Sequence, residues 1–306
     1  MALMAPPPTT RVSLVLAAAI AAISLAAIFI RLADAPGVVI ALYRMALASL
    51  VMAPLAVRGL RRTPLSGRAA LLTLAAGVLL GIHFATWITS LNLTSVAASV
   101  TLVTTSPLWV ALFAWLFTGR APSFSVLIGV VLAVGGAAVI GFGDLGGGTA
   151  PLLGDGLALV GAASAAGYLL LGRTVQRSGV GLDAYAGVAY AVAALVLLPL
   201  PALFALPYGG YAPSSLAWIA LLALVPQLVG HNGINYAMRH LDPTLVATTT
   251  LLEPVGSTLL ALAVFGEVPS PLTLVGAAIL LTGVVFTVRS SEHPAAEASP
   301  PEAPGA

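Results

Sequence analysis

Apolar residues run along this chain in ten stretches, which short polar or Gly/Pro-containing segments separate. About 20 helical residues, rising 1.5 Å each, cross a hydrocarbon core of about 30 Å. The stretches cover 12–30, 37–57, 69–90, 95–117, 124–142, 152–172, 184–206, 214–237, 244–265 and 271–288. The pattern therefore predicts an all-α membrane protein with ten transmembrane helices.

Composition agrees with a bilayer environment. Hydrophobic residues make up 59% of the chain and charged residues 7%, against about 25% in a soluble domain. The chain has no cysteine and four histidines, with no H-E-x-x-H motif, so neither a metal nor another cofactor is expected. Its basic residues are all arginines in short loops, apart from one inside a helix. They are therefore read as topology signals and do not predict nucleic acid as a partner.

The chain repeats itself at a spacing of 147 residues. Residues 101–136 align without gaps on 248–283, with ten identities in 36 positions. At the same turn, the first copy has Arg120 and the second has Glu267. Because arginine in a short loop favours the cytoplasmic side, this change of sign indicates that the copies are inverted in the membrane. The identical positions are Thr101, Pro107, Leu112, Ala114, Gly119, Pro122, Ser123, Leu127, Gly129 and Gly136.

Loop arginines also predict which side the ends occupy. If the N-terminus is cytoplasmic, ten arginines lie inside, and only Arg31, offset by Asp34, lies in an outer loop. We therefore expect both termini in the cytoplasm and the first helix retained, not cleaved as a signal peptide. The predicted units are disordered tails 1–11 and 289–306, repeats 12–142 and 152–288, and a periplasmic linker 143–151. The ten inside arginines are Arg11, Arg58, Arg61, Arg62, Arg68, Arg120, Arg173, Arg177, Arg239 and Arg289.

Three segments carry a family pattern: ALYRMAL around Arg44, TTSPLWVALFAWLFTGRAPS, and TLLEPVGSTLLALAVFGEVPS. With the glycines 129, 136, 276 and 283, they make the chain resemble the drug/metabolite transporter superfamily, in the branch with two EamA domains and ten helices. The resemblance covers about 12–288 and implies a bacterial inner-membrane transporter of small organic metabolites, most commonly amino acids. The family pattern ends its fourth and ninth helices in Gly-Glu, whereas here the fourth ends in Gly119-Arg120.

Two charged residues fall deep within predicted helices. Glu253 lies near the middle of the ninth, where an acid must face a partner or a wet cavity. It is a candidate substrate-amine ligand or proton carrier; the alternative is a structural acid paired with arginine or a hydroxyl. Arg44, inside the second helix, either binds a substrate carboxylate or is an architectural charge.

Polar and aromatic residues recur at helical spacing on the third and eighth helices. His83 and Trp87 are four residues apart and share a face, and His83 is the second candidate for proton coupling. On the eighth helix, Gln227, His231 and Asn235 form one polar stripe. Both groups are predicted to line a substrate cavity, with interhelical packing as the alternative.

Further candidates lie on the fourth, sixth and ninth helices. Thr105 and Trp109 are four apart on the fourth helix, and Tyr168 on the sixth follows Ser164 at the same spacing. Pro107 and Pro254 are predicted to break their helices and free nearby carbonyls.

Together these features predict a secondary transporter that exports amino acids or related small metabolites by alternating access. One buried arginine is too little for a phosphate dianion but suits a small zwitterion. Export of hydrophobic or cationic drugs is the alternative substrate class, and an accessory membrane subunit is the alternative from another class. The acids are dispersed over loops on both faces, so no enzyme is expected. The expected partners are a small-molecule substrate and the lipid bilayer, and the oligomeric state stays open.

Overall fold

The computed structural model describes residues 9–119, 124–143, 148–237, 241 and 249–291. Arg120, Arg239, residues 144–147 of the linker and residues 244–248 of the ninth predicted span lie outside this part. So do 1–8 and 292–306 of the predicted tails. All regular secondary structure in the described ranges is helical.

The described chain forms fourteen α-helices and one π-helical segment. The first half contains α1 (Thr9–Ser24), α2 (Ala26–Leu32), α3 (Gly37–Arg62), α4 (Gly67–Ser90), α5 (Val96–Val103), α6 (Ser106–Thr118) and α7 (Phe124–Gly143). The second half contains α8 (Pro151–Arg177), α9 (Leu182–Leu197), α10 (Leu200–Leu203), α11 (Pro213–Leu222), the π-helix (Ala223–His231), α12 (Asn232–Ala237), α13 (Leu252–Phe265) and α14 (Pro271–Ser291).

Six helical segments in the described part are long and apolar enough to cross a bilayer. They are Thr10–Leu32, Gly37–Arg62, Gly67–Ser90, Pro151–Arg177, Leu182–Leu203 and Pro213–Ala237. Four shorter apolar helices fall on the remaining predicted spans, at Val96–Val110, Phe124–Ile140, Leu252–Phe265 and Pro271–Phe286. The described part of the chain is thus all-helical, with the repeated apolar helices of a multi-pass membrane protein.

Helices α6 and α13 each begin just after an interruption of the helix that lies near a proline. A turn at Thr104–Thr105 separates α5 from α6, and Pro107 lies in the first turn of α6. A turn at Leu251 precedes α13, whose first turn contains Pro254. Proline has no backbone N–H, so it is tolerated where a helix begins and where that donor would have no partner.

The sequence repeat is also visible in where the helices begin and end. Helix α6 ends at Thr118 and α13 at Phe265, and the following residues, Gly119 and Gly266, have φ of 67° and 66°. Only glycine adopts this left-handed conformation without strain, which accounts for its presence at both ends.

Corresponding helices of the two copies pack against each other in opposite directions. Gly136 of α7 faces Leu280 of α14, whereas Gly143, further along α7, faces Thr273, nearer the start of α14. Helices α3 and α9 show the same relation. The small residues let the backbones approach closely.

Three predicted boundaries differ from the structure. Helix α1 begins at Thr9, inside the predicted tail 1–11, and α14 continues to Ser291, inside the tail 289–306. The predicted span 184–206 ends its long helix at Leu197, because Pro199 and Pro201 follow.

Candidate functional site

A single arginine lies at the centre of the polar residues that the fold brings together. Arg44 of α3 is fully buried, and its Nε and Nη2 donate hydrogen bonds of 3.0 and 2.7 Å to Oε1 of Gln227 in the π-helix. Gln227 is also buried, with 1% of its surface exposed. A neutral amide thus holds one edge of the guanidinium and leaves its positive charge in place.

Aromatic rings of α4 cover the guanidinium. Its carbon lies 4.0 Å from the ring centre of Phe84 and 6.0 Å from that of Trp87. The face of an aromatic ring attracts a cation, and this attraction grows when water is excluded. Phe84 therefore stabilises the buried charge together with Gln227.

Two buried donors in this cluster have no hydrogen-bond partner within the described part of the chain. They are Nη1 of Arg44 and Nε1 of Trp87. A buried donor without a partner costs about 1–3 kcal/mol, and more when it is charged. The cluster is therefore suited to an acceptor that this chain does not itself supply.

His83 packs within the same group, but one of its ring nitrogens already has a partner. Its ring stacks on Trp87 with 5.8 Å between centres, and its Nδ1 lies 2.9 Å from the carbonyl oxygen of Gly161 in α8. A carbonyl only accepts hydrogen bonds, so Nδ1 carries the proton and Nε2 is the acceptor. This contact is the interhelical hydrogen bond that the sequence left open as the alternative to cavity lining.

In the polar stripe of the eighth predicted span, Gln227 and His231 lie on the π-helix and Asn235 lies on α12. Pro226 interrupts the α-helical hydrogen bonding there, and the wider turn carries Gln227 to Arg44. His231 is half-buried and meets Phe84 edge-on, with 6.0 Å between ring centres. Asn235 meets Tyr168.

Tyrosines of α8 and α9 border the stripe. The Tyr190 hydroxyl donates a 3.1 Å hydrogen bond to Oδ1 of Asn232 and also meets Gln227. Tyr168 stacks on Tyr185, 5.7 Å away. Tyr190 is not among the residues predicted from sequence patterns; its only signal there is that it is a tyrosine within the apolar run 184–206.

Glu253 does not lie at mid-helix as predicted. Because the helix is interrupted at Leu251, the carboxylate falls in the first turn of α13, next to Pro254. There the free backbone N–H groups and the helix dipole favour a negative charge. Glu253 is half-buried and within electrostatic range of Arg44, although the described residues form no direct ion pair between the two.

The fourth-helix candidates separate into two environments. Thr105 is buried, and its hydroxyl donates a 2.7 Å hydrogen bond to the backbone carbonyl of Leu102 in α5. This hydroxyl is therefore already hydrogen-bonded to the nearby backbone. Trp109 is half-buried and contacts Phe113, with 6.3 Å between ring centres. Within the described part of the chain, these contacts do not join either residue to the Arg44 cluster.

A second polar network closes one end of the helix bundle. Arg31 lies 3.5 Å from Glu267 and donates a 2.7 Å hydrogen bond to the carbonyl of Thr94. Glu267 accepts a 2.6 Å hydrogen bond from the backbone N–H of Val96, and the Thr94 hydroxyl donates to Asp155 at 2.8 Å. Arg31, at the end of α2, therefore pairs with Glu267, which follows α13.

No group of three or more His, Asp or Glu side chains in the described ranges is arranged to hold a metal ion. Two surface clefts, of about 470 and 450 Å³, lie along α14 and contain none of the Arg44 cluster. Their walls are mostly exposed apolar side chains such as Leu272 and Phe286, as expected for grooves that face lipid.

Comparison with known proteins gives two kinds of match along the chain. The profile of the EamA-like transporter family matches residues 11–142 and 152–289. A curated protein of Streptantibioticus cattleyicolor, described as a probable terminal-alkyne amino-acid exporter, is 30% identical over 203 residues. That alignment covers 65% of this chain and 66% of the relative, just under two thirds of its length.

A solved crystal structure shares the fold. It superposes with a TM-score of 0.63 and 22% sequence identity, covering 94% of this chain and 100% of the other.

Proposed function

Since the chain belongs to the EamA-like transporter family, we propose that it is a bacterial inner-membrane secondary transporter that exports amino acids or related small metabolites by alternating access. The relative described as an amino-acid exporter supports this substrate class. One observation carries the proposal: a fully buried guanidinium keeps a free nitrogen among aromatic rings at the junction of the two halves.

The position of Arg44 suits a site that both halves share. Arg44 and Phe84 belong to the first repeat, while Gln227 and Tyr190 belong to the second. In transporters built from inverted repeats, the substrate site lies at the repeat interface, so that it can open to either face. Placing a charge deep in a membrane protein costs free energy, so such a charge marks a substrate or ion pathway.

The packing of the repeats supports ten crossings arranged as two inverted five-helix units. Helices 147 residues apart end in the same way and run antiparallel where they meet, as α7 and α14 do. In this arrangement the four shorter apolar helices are the remaining four crossings, although their lengths alone do not identify them as membrane spans. Five helices in each repeat are an odd number, so the second repeat starts from the opposite face and both termini share one side; the loop arginines favour the cytoplasm for that side.

The network around Arg31 and Glu267 is the closed outer gate in this proposal. Its members come from loops that the arginine distribution places in the periplasm, and it joins the first repeat to the second. The site is then closed to the periplasm in this conformation, and export requires these contacts to separate.

Glu253 is the better of the two proposed proton carriers. His83 already donates to the carbonyl of Gly161, whereas no described residue hydrogen bonds to the Glu253 carboxylate in the structure. Glu253 also lies within electrostatic range of Arg44, so a change in its charge is felt at the proposed site.

Export of hydrophobic or cationic drugs is the second candidate function, which the aromatic rings Phe84 and Trp87 favour. An uncompensated arginine at the same place opposes a cationic substrate, because like charges repel at close range. An accessory subunit would need neither a buried charge nor free buried donors.

The deciding experiment is a transport assay with purified protein in proteoliposomes. Radiolabelled amino acids, including a terminal-alkyne amino acid, are tested beside a hydrophobic cation, with protein-free liposomes as the blank. We expect exchange of at least one amino acid and none of the cation. Exchange of the cation alone would replace the proposal with drug export, and exchange of neither would leave an accessory role.

Topology is tested separately. The chain has no cysteine, so a single cysteine added at either end reports its side by labelling with an impermeant thiol reagent. We expect both ends to be protected in intact cells. Labelling of either end from the periplasm would contradict the inverted-repeat arrangement.

A further inference from the structure

The guanidinium of Arg44 uses only part of its donor capacity. It carries five N–H donors, and Gln227 accepts from Nε and Nη2, along one edge. Both N–H groups of Nη1 and the second N–H of Nη2 are left at the end of the fork. This end has the geometry that a carboxylate matches with two parallel hydrogen bonds.

Trp87 provides a neutral donor in the same buried cluster. The indole N–H can only donate, and the Trp87 ring centre lies 6.0 Å from the guanidinium carbon. His83 stacks on this ring, and its only assigned donor, Nδ1–H, is directed to Gly161. The two donors without a partner therefore belong to one cationic and one neutral group of the same buried cluster.

The charge of the cluster selects the class of anion. Gln227 and Phe84 stabilise Arg44 without neutralising it, and Glu253, which is in electrostatic range, forms no ion pair with it among the described residues, so the guanidinium keeps its positive charge at this place. A carboxylate balances one charge, whereas a phosphate dianion would need a second buried cation, and the described helices place no other arginine beside Arg44. The acceptor that fits both donors is a monocarboxylate.

The geometry points to a carboxylate subsite formed by Nη1 of Arg44 and Nε1 of Trp87. A substrate bound there needs a free carboxylate, so it is an amino acid and not the corresponding amide, ester or amine. This inference rests on the proposed function and assigns the part of the substrate that the site recognises. Glu253, the acidic side chain in electrostatic range of Arg44, has the charge that suits the substrate ammonium group.

The test compares acids with their amides, which keep the size and the amine but lose the anion. Proteoliposomes exchange labelled L-leucine, L-phenylalanine or L-propargylglycine against each acid and its carboxamide. Because hydrogen bonds to a charged group contribute about 1.5–3 kcal/mol, we expect the amides to compete at least about tenfold more weakly. Equal competition by the amides overturns the subsite while the transport function stands.

Trp87→Phe isolates the indole N–H, since phenylalanine keeps an aromatic ring in place. We expect it to raise the KM for the acids about five- to tenfold and to leave inhibition by the amides unchanged, as removal of one hydrogen bond predicts. Trp115→Phe is the matched control, because Trp115 is 42% exposed on α6, away from the cluster, and it should change neither value. An unchanged acid-to-amide ratio in Trp87→Phe overturns the role of Trp87.

A readout independent of transport separates the two proposals. The acids, and not the amides, should raise the melting temperature of the purified protein, and Trp87→Phe should reduce that protection. If no labelled amino acid exchanges but the acids still raise the melting temperature, the result supports the subsite and contradicts amino-acid transport. If the acids neither exchange nor protect, both are wrong.

Discussion

Replacing Gly136 with alanine should force α7 and α14 apart, although the change adds only one methyl group. A Cβ at this position would lie 2.5 Å from the backbone nitrogen of Leu280 and 2.7 Å from the carbonyl oxygen of Gly276. Ordinary contacts begin at 3.4 Å, so the backbones must separate by close to 1 Å. Because both opposing atoms are backbone, no side-chain rotation relieves the clash.

The neighbouring Gly135 provides the matched control. A Cβ there meets no atom within 4 Å. Either alanine stabilises the helix itself by about 0.5–1 kcal/mol relative to glycine. That gain cancels when the two variants are compared, so their difference isolates the overpacking term, which is about 1–3 kcal/mol.

The measurement is the melting temperature of each purified variant in detergent, read from the fraction that stays monodisperse after heating. We expect Gly135→Ala to match or exceed the wild type and Gly136→Ala to melt below it. Gly276→Ala, whose Cβ would lie 2.7 Å from the backbone nitrogen of Ile140, should follow Gly136→Ala. Equal melting temperatures for Gly135→Ala and Gly136→Ala would refute the close packing of these helices.

Two further predictions concern the polar networks. Gln227→Leu removes the acceptor of two Arg44 donors and should lower the free energy of unfolding by about 1.5–3 kcal/mol. Gln227→Glu keeps an acceptor there and should melt at the wild-type temperature. A Gln227→Leu variant as stable as the wild type would show that Arg44 does not depend on this hydrogen bond. Glu267→Gln keeps an acceptor for the Val96 N–H but removes the partly exposed ion pair with Arg31, which contributes about 0.2–1 kcal/mol. A cysteine placed at Thr101 should then label up to about fivefold faster with a periplasmic thiol reagent, and unchanged labelling would argue against an outer gate.

Much of the fold follows from local sequence. The apolar runs fall on the observed helices because burying apolar side chains and satisfying backbone hydrogen bonds inside a membrane both demand helices. Pro107 and Pro254 lie where helices restart, because each lacks a backbone donor. The family was recognised for the same reason, since its motifs are continuous segments.

The candidate site depends more on tertiary structure. Arg44, His83, Trp87 and Gln227 were named from their chemistry, but the sequence left open whether each one packs or binds. The hydrogen bond of His83 to Gly161, the free nitrogen of Arg44 and the contribution of Tyr190 are visible only after the helices pack.

By itself, the sequence determined that this chain is a helical membrane protein of repeated design, with glycines where helices approach and one arginine too deep to be solvated. Tertiary structure decided which groups meet: Gln227, 183 residues away, is the partner of Arg44, and Glu267, not the nearby Asp34, is the partner of Arg31. Helix formation depends on residues a few positions apart. The partner of a buried charge depends on which helices lie side by side, and spacing along the chain does not encode that.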